Sequence, residues 1–166
     1  MASQGVVADE CGRRTHILTI NSIGKNQYTK KDYTNSFFTC TSTAALHNGH
    51  LYFRSGRKIR SFAFDSGTMN WESGSIFQQN HEMGAETGNL LVTAGDGKMI
   101  IWDGTKVGHL VLAEASPDSD WKELARVENV LKKTKYEQGY PHVALSNGRI
   151  VCRNIEGDIV CLSVRG

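Results

Sequence analysis

The sequence predicts an all-β protein, and three observations carry that prediction. The stretch Leu145–Val164 sets Asn147-Gly148 before the run Arg149-Ile150-Val151-Cys152, and Glu156-Gly157-Asp158 before Ile159-Val160-Cys161-Leu162. Asn-Gly favours the left-handed backbone of a type I′ turn, so short apolar runs punctuated by such turns read as consecutive antiparallel strands. The same order recurs upstream, where Leu46–Phe53 leads to Ile59–Phe64 and Glu86–Val92 leads to Leu110–Glu114. Finally, Thr87-Gly88, Asp96-Gly97 and Asp103-Gly104 punctuate the middle of the chain so densely that only strands of five to seven residues fit between them.

Taken in order, residues 1–14 are polar, rich in small side chains and without period, and are expected to form a disordered or loosely attached tail to a single domain over 15–166. His16-Ile17-Leu18-Thr19-Ile20 is a strand former halted by Asn21-Ser22 and Gly24. Lys25–Asp32 is polar and aperiodic, whereas Tyr33–Thr43 is dense in Thr, Phe and Tyr and predicts a second strand. The first repeat unit spans Ala44–Trp71, Ser73–Asn80 reads as linker or edge, and the second unit begins near Met83. Trp121–Tyr136 is ambiguous: Trp121, Leu124, Val127 or Glu128, and Leu131 fall on a 3.6 period with charges opposite, as in an amphipathic helix. Pro141 cannot donate a ladder bond and suits the first residue of a strand, and Val143-Ala144-Leu145 opens the third unit.

Bulk properties narrow the classes of function. A chain of 166 residues suffices for one domain, burying roughly two thirds of its unfolded surface. Lys+Arg of 19 against Asp+Glu of 17 gives a net charge of +2, with the basic residues scattered. Neither a nucleic-acid surface nor polybasic membrane contact is expected. Met1–Glu10 has no basic n-region and no long apolar run, and no stretch approaches transmembrane length, so the expected location is cytoplasmic. Cys11, Cys40, Cys152 and Cys161 show no CxxC and no metal-ligand spacing; small buried thiols in strands are the plain reading. Cys152 and Cys161 fall on neighbouring strands, which leaves a cross-strand disulfide geometrically open.

Aligned on Gly49, Gly88 and Gly148, the three units lie 39 and then 60 residues apart, the longer interval implying an insertion between the two strands of its unit. A hairpin repeat of about 40 residues has the sequence form of a β-propeller blade. The stretch Ser61-x-Ala63-x-x-Ser66-Gly67-x-x-x-Trp71 resembles the blade ending A-x-D-x-x-T-G-x-x-x-W of the PQQ-like β-propeller repeat family, the superfamily of the quinoprotein alcohol dehydrogenases. It keeps the spacing, the Gly and the Trp, and departs at Ser61, Ala63 and Ser66. Leu110–Pro117 with Trp121–Arg126, and Leu145–Leu162, look like the last two blades of that family, so the resemblance covers about residues 33–165. It implies about three propeller-type four-stranded antiparallel blades, a partial β-propeller in which Ser66-Gly67 delivers Trp71 into the next blade. It also implies that Glu123–Leu131 is extended, which overrides the helical period. Relatives of this kind are often exported.

Closed propellers need about four to eight blades. A blade without a neighbour exposes roughly 500 Å² of apolar face, and at about 25 cal/mol/Å² this forfeits on the order of 12 kcal/mol as an upper bound. A loss of that size equals the stability of a typical domain. A homo-oligomer that completes the ring, a two-fold dimer in its simplest form, meets the need. Collapse into a compact sandwich or pairing with a different protein are the other solutions.

Candidate chemistry is sparse. His47 and His50 flank Asn48-Gly49, yet no Cys, Asp or Glu completes a tetrahedral set, and His81-Glu82 lacks the second His of a metalloprotease helix. Gly95-Asp96-Gly97-Lys98 is a hairpin turn rather than a phosphate loop. Asp118 and Asp120 share a loop without the further oxygen ligands calcium needs. Trp71, Trp102 and Trp121 suit core docking, with a ligand or interface platform as the functional alternative for Trp102 and Trp121. Quinone (PQQ)-dependent dehydrogenation, suggested by the family name, needs a ring of blades, a tryptophan floor and calcium-ligating Glu, Asn and Asp. No residue here matches these one for one, so no catalytic residue, cofactor or metal ligand is assigned. The expected function is a non-enzymatic scaffold for protein or ligand interaction completed by self-association. The alternative is a PQQ-dependent oxidoreductase-like or other ligand-binding enzyme assembled across subunits.

Overall fold

The computed structural model describes residues 3–9, 14–20, 28–32, 44–55, 57–77, 88–93, 95–103, 107–133 and 142–164. Among them every regular element is a strand, and no helix is long and apolar enough to cross a membrane. The backbone divides into two compact units, Met1–Cys40 and Thr41–Gly166, where the sequence predicts one domain after a tail. The first unit is an antiparallel sheet of β1 (Ser3–Asp9), β2 (Arg14–Ile20) and β3 (Tyr28–Asp32). Thus Ser3–Asp9 is extended rather than a tail, in register with β2 through Val6↔Ile17 and Val7↔His16. Its β-branched Val6-Val7 pair is masked in sequence by small and polar neighbours. The strand expected over Tyr33–Thr43 lies outside the described residues.

The second unit is three meanders. The first comprises β4 (Ala45–His47), β5 (His50–Ser55), β6 (Lys58–Ala63) and β7 (Met69–Glu72). The second comprises β8 (Gly88–Val92), β9 (Lys98–Asp103), β10 (His109–Glu114) and β11 (Glu123–Val127). The third has, among the described residues, three strands rather than four: β12 (Ala144–Ser146), β13 (Arg149–Arg153) and β14 (Ile159–Ser163). Asn48 and Asn147 take φ of 48° and 49° before Gly49 and Gly148 at 75° and 69°, the left-handed pair that a two-residue hairpin requires. Of the segment Glu123–Leu131 that the resemblance makes extended, Glu123–Val127 is a strand, against the helical period, and the strand ends before Asn129, whose φ is 54°.

The phase of the repeat differs from the sequence alignment. Gly49, Gly97 and Gly148 each accept a backbone hydrogen bond from the residue after the third strand of their meander, Phe64 (2.9 Å), Ala115 (2.7 Å) and Val164 (2.9 Å). Gly88 instead begins β8, opposite Asp103. The structural repeat therefore runs Gly49, Gly97, Gly148, and no insertion separates the strands of the second unit.

The sheets of this unit stack face to face. Tyr52, Ile59 and Trp71 from the first meander meet Leu90, Met99, Ile101, Val111 and Ala113 from the second. The opposite face of the second meander, with Ile100, Trp102 and Leu110, meets Ile150 and Cys152 of the third, together with Leu131 and Val143. Strand alternation explains this double burial, because β9 sends Met99 and Ile101 one way and Ile100 and Trp102 the other. The alternation also closes the disulfide question. Cys152 is opposite Val160, and Cys161 is opposite Val151, so the two thiols lie on opposite faces; both are free, Cys152 buried and Cys161 exposed.

Candidate functional site

The two junctions between stacked sheets are built differently, and the difference creates the site. At the first junction Arg54 Nη1 donates to Asp103 Oδ1 at 3.2 Å, with both side chains 0% exposed. The Arg54 guanidinium also sits 4.7 Å from the centre of the Phe77 ring. Trp71 closes the same junction. The turn that brings it there has Gly67 at φ 72°, donating to the Ala63 carbonyl, with Ala63 N–H donating to Thr68 O at 2.8 Å. Ser66 Oγ accepts the Thr68 N–H at 3.1 Å and fixes the turn. The Trp71 indole N–H donates to the Ser116 carbonyl at 2.7 Å, and its ring packs 6.1 Å from both Tyr52 and Trp121.

The second junction has different residues at the equivalent register positions. Trp71 pairs with Ser61 immediately before a bulge at Ser61/Phe62, and Ala125 pairs with Leu112 immediately before the bulge at Leu112/Ala113. Counted from the same landmarks, Trp102 stands where Arg54 does, because Arg54 faces Ile59 and Trp102 faces Leu110. Trp102 is buried between the sheets, and its indole N–H has no acceptor among the described residues. Its ring lies against Gly108, where an added Cβ would fall 2.0 Å from the ring.

With a methyl group in place of an indole, the second junction stays open on one side. A crevice of about 300 Å³ remains there, floored by Ile100, Leu110 and Leu112, walled by Ala125 and Val127, and bounded across the gap by Leu145, Ile150 and Val164. At its end Lys98 Nζ meets Asp96 Oδ2 at 3.0 Å. Asp96 is held below the usual carboxylate range by its hydrogen bonds from Thr93 and Lys98. Arg126, next to Ala125 but on the other face of β11, lies 5.7 Å from the centre of the Phe77 ring and forks onto Glu123 at 2.7 and 2.8 Å, and that carboxylate raises the guanidinium above its ordinary value.

Of the residues singled out in sequence, Trp71 and Trp121 meet at the first junction, Ser66 and Gly67 form the turn that precedes Trp71, and Trp102 belongs to the core of the second. His47 and His50 face each other across β4 and β5, engaged by Asn48 and Asn70 respectively at 3.0 Å. Among the described residues no three His, Cys, Asp or Glu side chains are grouped as metal ligands. The sequence reading misses Arg54, Asp103 and Ala125. An Arg and an Asp 49 positions apart carry no local signal, and Ala125 gains meaning only once the bulges fix its register against Trp71. No protein-family model matches the chain, and no curated protein does.

Proposed function

We propose that this protein is a non-enzymatic interaction scaffold of propeller-type sheets that associates with a second copy through the outward face of the β12–β14 sheet. One observation of register carries the reading. Val151, Arg153, Ile159 and Cys161 stand at the positions that Tyr52, Arg54, Ile59 and Ser61 hold in the first meander. In the first and second meanders that face packs on the sheet that follows. In the third it is open: Ile159 is 64% and Val151 37% exposed, where Ile59 and Tyr52 are 0%. Apolar side chains presented at interface register on an uncovered sheet face are the core of an interface without its other half. A two-fold axis lays the face against itself and covers both copies at once.

Solution mass tests this. Light scattering behind size exclusion is expected to give a multiple of 18.3 kDa, with the double variant Val151→Lys/Ile159→Lys returning a folded monomer. A wild-type monomer at every concentration up to about 1 mM, a Kd limit that corresponds to only about 4 kcal/mol of association, overturns the reading.

A further inference from the structure

We propose that the crevice between the β8–β11 and β12–β14 sheets is a binding site for a small, neutral, planar aromatic ligand of one or two fused rings. At the first junction the corresponding space holds the chain's own indole, Trp71, packed beside Ala115 and against Tyr52. At the second junction the same framework recurs with Val164 in place of Ala115 and Ile100 in place of Tyr52. The occupying side chain has shrunk to Ala125. Val164 and, at the Ser61 position, Leu112 are larger than their counterparts, yet they do not refill the volume, and a crevice of about 300 Å³ remains.

Size and polarity select the ligand. An apolar cavity of about 150 Å³ takes a benzene ring, so a space of about 300 Å³ accommodates an indole or naphthalene. Sheet packing sets its shape: the walls are opposed faces of two β-sheets, which stack about 10 Å apart and favour a flat guest over a globular one. The charges at its end, Lys98 and Asp96, are matched within the protein, so a neutral ligand is favoured over an ion. The site lies within one chain and does not depend on self-association.

The test is titration of the full chain with indole and, separately, with cyclohexylmethanol, followed by methyl NMR. Indole is expected to give saturable shifts confined to Leu112, Ala125, Val127, Leu145 and Ile150, with a Kd on the order of 1 mM or tighter, and cyclohexylmethanol at least tenfold weaker. Ala125→Trp rebuilds the missing occupant and is expected to abolish these shifts. Leu145→Lys, at the half-exposed mouth, serves if Ala125→Trp does not fold, and is expected to weaken binding more than tenfold. Absence of saturable shifts with indole overturns the proposal. So does undiminished binding by the folded variant, or cyclohexylmethanol binding as tightly as indole.

Discussion

Arg54 and Asp103 form an ion pair that crosses from one sheet to the next with neither side chain exposed to water. Removing two charges from solvent costs several kcal/mol each, which the pair recovers only while both members are present. Asp103→Leu is therefore expected to destabilise the protein by about 3–5 kcal/mol in urea unfolding, because it strands a buried cation. The double variant Arg54→Leu/Asp103→Leu is expected to be more stable than Asp103→Leu alone. Additive losses would show that the pairing is not what holds the two charges in place.

Trp71 combines a buried indole with a hydrogen bond to the Ser116 carbonyl. Trp71→Ala is expected to cost about 3–5 kcal/mol, and Trp71→Phe, which keeps a ring but loses the donor, distinctly less. Equal losses for the two variants would remove the ring contacts with Tyr52 and Trp121 from the account.

Gly108 tests the packing of Trp102 separately. Its φ of +63° and the indole 2.0 Å from an added Cβ both oppose a side chain. A left-handed conformation alone costs about 1–2 kcal/mol, which is the expectation for Gly49→Ala, where nothing lies within 4 Å of the new methyl. Gly108→Ala is expected to lose clearly more. Matching thermal shifts for the two variants would contradict the contact.

The two cysteines of the last sheet differ in environment. Burial, with a smaller contribution from Cys161, pushes the Cys152 thiol up to about 11 from an ordinary 9.0. The folded protein thus holds a proton that the unfolded chain releases, so this contribution to stability is complete below pH 9 and declines as pH rises from 9 to 11. Peptide mapping after iodoacetamide at pH 8 is expected to find Cys152 protected throughout and Cys161 modified in the Val151→Lys/Ile159→Lys variant, whose outward face is uncovered. Cys152→Ala is expected to flatten the alkaline limb of the stability profile.

Local chemistry made some of this architecture legible and left the rest hidden. Asn48-Gly49 and Asn147-Gly148 announce their hairpins because few other dipeptides tolerate two consecutive positive φ values. Gly88 misleads for the same reason, since a glycine in a strand looks like a turn until its partner Asp103 is known. The β3 strand carries a polar run, Tyr-Thr-Lys-Lys-Asp, that no hydrophobic period reveals. The extended Glu123–Val127 is hidden in a different way: its apolar residues fit a helical period, and pairing with β10 decides the matter. The crevice is less legible still, because it arises from a residue that is small where its structural counterpart is large. Only a register can disclose such a mismatch.

Among the described residues of the unit over residues 41–166, every ladder joins strands that follow one another in sequence. Such local pairing keeps loop closure inexpensive and contact order low, so each meander can assemble before the junctions between sheets form. The energetics then resemble a short one-dimensional array with nearest-neighbour coupling. The β8–β11 sheet, packed on both faces, is its central link, and the amides of β9 and β10 should exchange with deuterium most slowly. Consecutive residues of β9 serve opposite junctions, Asp103 towards the first meander and Trp102 towards the third. A disturbance at one junction therefore reaches the other through a single peptide unit, and the last residues of β9 are where the two ends of the stack can sense each other.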